Sequence, residues 1–116
     1  MKPITKVLSL DKIEYYVTHL SIVNCLLPVK MTPTEIKILA GFMSFEGELA
    51  EDRFSSLGRK IIRENLLLTH QGLSNFMSSL IKKRFINEFD HKLLILPLLH
   101  PDKTEQTYMI KLKNLG

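Results

Sequence analysis

The sequence predicts a mainly α fold with a small β-sheet, an α+β class, and three observations carry that prediction. Apolar residues recur at helical spacing through most of the chain, Ser, Thr and Asp stand where helix starts need caps, and after Arg84 the pattern turns extended. By length, 116 residues make one compact domain. Residues 1–30 form an N-terminal arm and helix available for packing or dimerisation, and residues 31–116 form the principal domain. Hydrophobic residues at 45% with 24% charged describe a folded globular chain rather than a disordered tail.

Ile4, Val7 and Leu8 suggest a brief strand or arm. Ser9 and Asp11 are start signals, after which Ile13, Tyr16, Val17, Leu20, Val23 and Leu27 follow a helical period; this first helix ends near Leu26, before Pro28. Thr32-Pro33-Thr34-Glu35 assembles a capping box, with proline at the first helical position and Glu35 at the third. Ile36, Leu39, Ala40, Phe42 and Met43 then supply a buried face, and the helix fades between Phe45 and Gly47. The acidic stretch from Glu46 to Asp52 reads as a linker or one helical turn, and Arg53-Phe54-Ser55 as a short strand. Ser56 is placed to cap the next helix, with Leu57, Ile61, Ile62 and Leu66 inward and Arg59, Lys60 and Arg63 outward.

Leu66-Leu67-Leu68 makes a turn, and Thr69 caps the helix that follows. Leu73, Met77, Leu80 and Ile81 form its apolar stripe, flanked by Phe76. Gly72 costs about 1 kcal/mol relative to alanine there, which close approach of the preceding helix or of a nucleic-acid strand would offset. Phe85-Ile86 and Leu93 to Leu96 are strand-like, with a turn or bulge at Asn87 to His91, and Pro97 places the second run at an edge. His100-Pro101-Asp102-Lys103 has the composition of a type I turn. Tyr108, Ile110 and Leu112 alternate beyond it as a returning strand, so the expected hairpin loop spans 98–106.

Several function classes are excluded by missing parts. No run of about 18 apolar residues predicts a membrane span, and the N-terminus has no signal-peptide core, so the cytoplasm is the expected location. Cys25, the single cysteine, is expected to be a buried, inert thiol. His19, His70, His91 and His100 fall on different elements, without metal-ligand spacing, and no glycine-rich phosphate loop, nucleophile elbow or paired carboxylates occur. Neither catalysis nor a cofactor is expected.

What remains points to nucleic acid. The net charge is +4, and it is unevenly distributed. Glu46, Glu48, Glu51 and Asp52 outnumber Arg53 in one stretch, whereas Arg59, Lys60, Arg63, Lys82, Lys83 and Arg84 outnumber Glu64 in the next. The polar side of the helix after Thr69 carries Gln71, Ser74, Asn75, Ser78 and Lys82. Such short or amide-bearing groups allow a helix to lie deep in the DNA major groove, where Gln and Asn can each bond an adenine edge with two hydrogen bonds. Gln71, Ser74, Asn75 and Ser78 are therefore the base-reading candidates. Arg59, Lys60, Arg63, Lys82 and Lys83 are the candidate phosphate contacts, joined by Thr69, His70 and Arg84 at the ends of the helix.

The order helix, short strand, helix, turn, helix, hairpin from Thr32 to Leu112 resembles the winged helix-turn-helix superfamily, with an extra N-terminal helix. Met31-Thr32-Pro33-Thr34-Glu35-Ile36 with Leu39, and Leu73-Ser74-Asn75-Phe76 with Leu80-Ile81-Lys82-Lys83-Arg84-Phe85-Ile86, are most similar to small MarR-type DNA-binding regulators. The resemblance covers about two-thirds of the chain and rests on patterns. It implies a transcriptional regulator that binds double-stranded DNA through the helix at 69–83, with the wing at 98–106, and Lys103 at its tip, near the backbone or minor groove. Where Arg84 stands the family usually has glycine, so arginine here either takes another exit or accepts a left-handed backbone. The family's long C-terminal dimerisation helix has no counterpart, which leaves a homodimer to the N-terminal helix or the wing. The compact size without a sensor region fits a phage or mobile-element protein, and no effector pocket can be read. The competing expectation is a protein-interaction or assembly module, favoured by the apolar run from Leu93 to Leu99, which suggests a strand covered on both faces.

Overall fold

Four helices among the described residues start at a side-chain oxygen that accepts a backbone amide: Asp11, Thr32, Ser55 and Thr69. The computed structural model describes residues 11–101, 106–109 and 111–115. In chain order the elements are α1 (Lys12–Asn24), α2 (Pro33–Met43), α3 (Glu48–Glu51), α4 (Ser56–Leu66), α5 (His70–Lys82), β1 (Ile86–Phe89) and β2 (Lys92–Ile95), followed by a 3-10 turn at Pro97–Leu99. The architecture is thus mainly helical with one two-stranded antiparallel sheet. The expected capping box is formed in full. Thr32 Oγ1 accepts from the Glu35 amide at 3.2 Å, and Glu35 Oε1 accepts from the Thr32 amide at 2.8 Å.

α2 is the central helix, buried from Ile38 to Met43. α1 lies along it through Leu20, α4 packs on it through Ile62, and Leu73, Met77 and Leu80 of α5 close the core with Ile86 and Leu99. Gly41 permits the closest crossing: a Cβ there would stand 2.6 Å from Ile62 Cδ1. No helix among the described residues is long and apolar enough to cross a membrane.

Residues 53–55 form a turn instead of the expected strand. Arg53 Nη1 donates to the carbonyls of Phe42, Met43 and Phe45 at 2.9, 3.3 and 3.2 Å, satisfying acceptors that the end of α2 leaves open. Phe54 is buried against Phe42, with ring centroids 4.6 Å apart. A segment folded back to make these contacts is not extended. The cap of α4 is Ser55, one residue before the expected Ser56, because Ser55 still has extended backbone and its Oγ accepts from Gly58 N at 3.1 Å.

The hairpin also comes earlier than expected. β1 pairs with β2 in the register Ile86↔Ile95 to Phe89↔Lys92, so the reversal is at Asp90 and His91, both with positive φ (52° and 63°). Two consecutive left-handed residues give the turn whose twist matches that of paired strands. Burial of Ile86 and Ile95 on the core side fixes this register. The expected returning strand at 107–112 does not form in residues 107–109, 111 and 112; Ile110 lies outside the described residues, as do residues 1–10 and Lys103. Tyr108 instead bonds His19: the Tyr108 hydroxyl meets Nδ1, and Nε2 donates to the Leu99 carbonyl at 2.9 Å. Burial holds the pKa of His19 below its ordinary value, against the opposing effect of the Leu99 bond.

Other expectations are corrected by burial. Cys25 is exposed at the C-cap of α1, where its thiol donates back to the Ser21 carbonyl. Leu57 and Ile81 are exposed as well, at the edges of their helices' apolar stripes. Gly72 is approached by the Thr69 hydroxyl, 3.0 Å from where a Cβ would lie, and by no atom of the preceding helix. Leu94 and Leu98 are exposed within the apolar run after Leu93, so the described residues do not cover both faces of β2.

Candidate nucleic-acid interface

The connection between α4 and α5 is short because Leu67 turns the chain at once. It has φ 55° and ψ 44°, is 91% exposed, and is followed by the Leu68 amide donating back to the Arg63 carbonyl at 2.9 Å. Thr69 then starts α5, its Oγ1 accepting from Gly72 N at 2.9 Å. Thr69 is thereby a cap first; its hydroxyl is already engaged.

α5 presents Gln71, Asn75, Ser78 and Lys82 to solvent, with Ser74 half-buried beside them. Gln71 Nε2 donates to Asn75 Oδ1 at 2.8 Å, one turn along the exposed side. That bond couples the two exposed amides and leaves the Gln71 carbonyl oxygen as an acceptor and the Asn75 amide nitrogen as a donor. An adenine edge asks for one of each.

The flank of α5 next to this exposed face, through Ser79 and Lys83, is locked to α2. Glu35 is 1% exposed, and its carboxylate accepts from Ser79 Oγ at 2.8 Å and from Lys83 Nζ at 2.7 Å in addition to the Thr32 amide. Lys83 Nζ also donates to the Lys30 carbonyl at 3.0 Å. Lys83, expected to contact phosphate, is therefore committed inward, because Glu35 would otherwise be a buried, uncompensated carboxylate. Burial raises the pKa of Glu35, but the bonds from Lys83, the Thr32 amide and Ser79 outweigh it and hold the group below the ordinary carboxylate range. Ser79 and Lys83 stand four residues apart on one helix face, the spacing that lets both reach Glu35.

The exit of α5 resolves the question at Arg84. Its φ is 66°, the left-handed conformation in which glycine is usual. The Arg84 amide donates to the Ile81 carbonyl and the Phe85 amide to the Leu80 carbonyl, both at 3.0 Å, the paired bonds of a Schellman ending. Leu80 and Phe85 are both buried, so packing fixes the geometry while the Arg84 side chain stays exposed.

The remaining cations divide into two groups. Lys60, Lys82 and Arg84 are exposed. Arg59 and Arg63 are half-buried and, with Asp52, Phe54, Ser56 and His70, line a groove of about 620 Å³ along α4. Arg59 is fixed by Nε donating to the Phe54 carbonyl at 2.9 Å, while Arg63 makes no hydrogen bond or ion pair among the described residues. The structure thus brings Arg59, Arg63 and His70 together and turns Lys83 away. Among the described residues no group of three His, Cys, Asp or Glu side chains could hold a metal ion. Comparison with protein-family models, curated proteins and solved structures gives no match.

Proposed function

We propose that this chain is a winged helix-turn-helix DNA-binding protein, a sequence-specific transcriptional regulator that places α5 in the major groove of double-stranded DNA. The observation that carries this reading is the exposed side of α5: Gln71 and Asn75 coupled to each other, Ser78 and Lys82 beyond them, and no large apolar residue among the four. The sequence α4, tight turn, α5, hairpin agrees with it, the hairpin at Ile86–Ile95 taking the place of the wing. Its tip holds Asp90 and His91, so most phosphate attraction falls to Lys60, Arg63, Lys82 and Arg84. The regulator acts as a homodimer on a two-fold site. Since α1 packs along α2, the apolar surface left for a second copy on that side is Ile13, Leu26 and Val29. The site works in the cytoplasm and carries no catalysis.

Phe89 and Leu94, exposed on one face of the hairpin, favour the second reading, a protein-interaction or assembly module. Selection of bound sequences from a random duplex pool separates the two. The first reading expects an enriched motif with adenine at positions lost on Asn75→Ala, repeated at half-site spacing; no enrichment over the starting pool excludes it.

A further inference from the structure

Two parts of the chain have strand chemistry and no strand neighbour among the described residues, and they complement each other. The first is the outer edge of β2. Arg53 folds residues 53–55 into a turn against the end of α2, so no strand forms there. A groove of about 480 Å³ runs between that turn and the hairpin. All four residues of β2 line it, but only Asn87 and Phe89 of β1, which marks β2 as the strand whose edge opens into it. The Leu96 amide donates to the Phe85 carbonyl at 2.9 Å, so in this register Lys92 and Leu94 bond to β1. Leu93 and Ile95 turn their backbone groups to the other side. There they bond no backbone group among the described residues. Such an edge accepts an added strand.

The second part is the segment at 107–115. Its sequence alternates from Thr107 to Leu112, yet residues 107–109 and 111–115 take neither helix nor strand. Met109, Leu112 and Leu115 are 85%, 95% and 87% exposed. Tyr108 holds the segment to His19 of α1, and none of its described residues lines the groove. Charge matches as well. Glu51 and Asp52 line the groove, exposed and without ion pairs among the described residues. Lys111 and Lys113 are exposed too, and two residues apart they share one side of an extended strand.

We propose that residues 109–115 of a second copy add to the edge of β2 as a further strand, each copy giving its segment to the other and closing a dimer. Backbone bonds to Leu93 and Ile95 carry the pairing. The lysines of the segment meet Glu51 and Asp52, and its apolar residues extend the surface that Phe89 and Leu94 leave open. A contact given and received at once is two-fold and stops at two copies. It uses neither the apolar surface of α1 nor α5, so it holds whether or not the chain binds DNA.

The test is sedimentation velocity of the full chain, followed by NMR of mixed copies. The chain is expected to dimerise, and Met109→Asp/Leu112→Asp, at side chains the fold leaves exposed, should weaken the dimer about tenfold or more with unchanged circular dichroism. Glu51→Lys/Asp52→Lys should weaken it as well, and adding Lys111→Glu/Lys113→Glu to that variant should restore it. For the NMR, an isotope-labelled chain is mixed with an unlabelled chain that carries a spin label at Leu115→Cys, both with Cys25→Ser. Broadening of the Leu93 and Ile95 amides in the labelled copy is expected. A monomeric chain, a dimer that Met109→Asp/Leu112→Asp leaves unchanged, or broadening that appears only when isotope and spin label share one chain would overturn the proposal.

Discussion

Arg84 and Glu35 show how single side chains define the end of α5. Arg84 holds a left-handed backbone that costs a non-glycine residue about 1 kcal/mol. Arg84→Gly is therefore expected to raise stability by about that amount in urea denaturation. If Arg84 also neutralises a phosphate, the same variant lowers DNA affinity and makes the salt slope shallower by about 1; stabilisation without loss of affinity would assign Arg84 no contact. Glu35 works the other way. Glu35→Ala removes the N3 half of the capping box and strands the Ser79 and Lys83 donors, so a loss of about 2 to 3 kcal/mol is expected, moderated because the Lys83 side chain is 25% exposed and can reach water. Because the folded pKa of Glu35 is depressed, its contribution is complete above the ordinary glutamate range near about 4.3 and disappears as pH falls through the lower folded value. Denaturation profiles of the wild type and Glu35→Gln from neutral to acid pH should converge there; parallel profiles would show that Glu35 is not the group responsible.

At the scale of elements, close approaches decide what can change. A Cβ on Gly58 would lie 2.1 Å from the Arg53 carbonyl oxygen, a backbone atom, so Gly58→Ala must displace the turn before α4. A Cβ on Gly41 meets only the movable end of Ile62. Thermal denaturation should accordingly rank Gly58→Ala as the more damaging, by about 1 kcal/mol or more, and the reverse order would contradict the packing described. The segment around Tyr108 is held to α1 through His19, whose folded pKa is depressed by burial. That contribution is complete above about pH 6.5 and is lost as pH falls through the folded value. Amide protection near Tyr108, measured relative to the intrinsic exchange rate at each pH, should therefore fall between neutral and mildly acid pH in the wild type and be low throughout in His19→Ala. Local chemistry was what the sequence made legible: the capping box at Thr32, the cap at Thr69 and the change of period after Arg84 each depend on neighbours in the chain. The inward commitment of Lys83 was not, because it depends on where α2 lies. The hairpin was misplaced because Asp90-His91 lacks the glycine or asparagine that usually marks a two-residue turn, while Pro101-Asp102 has a stronger turn composition.

Across the whole molecule, charge and shape bear on the same surface. Folding around α2 takes the acidic Glu35 inside with Lys83 and leaves Lys60, Lys82 and Arg84 exposed, with Arg63 half-buried and unpaired among the described residues. The polar face of α5 was legible in the sequence, but the coupling of Gln71 to Asn75 was seen only with the side chains placed. Both properties meet in one measurement, the affinity of the full chain for duplex DNA by fluorescence anisotropy at two salt concentrations, with Lys60→Glu/Lys82→Glu as comparison. With about four phosphates neutralised, log affinity should fall against log salt with a slope of roughly −4, and the double variant should lose most of the binding. Binding that salt does not weaken, or that survives the double variant unchanged, would contradict DNA recognition by α5.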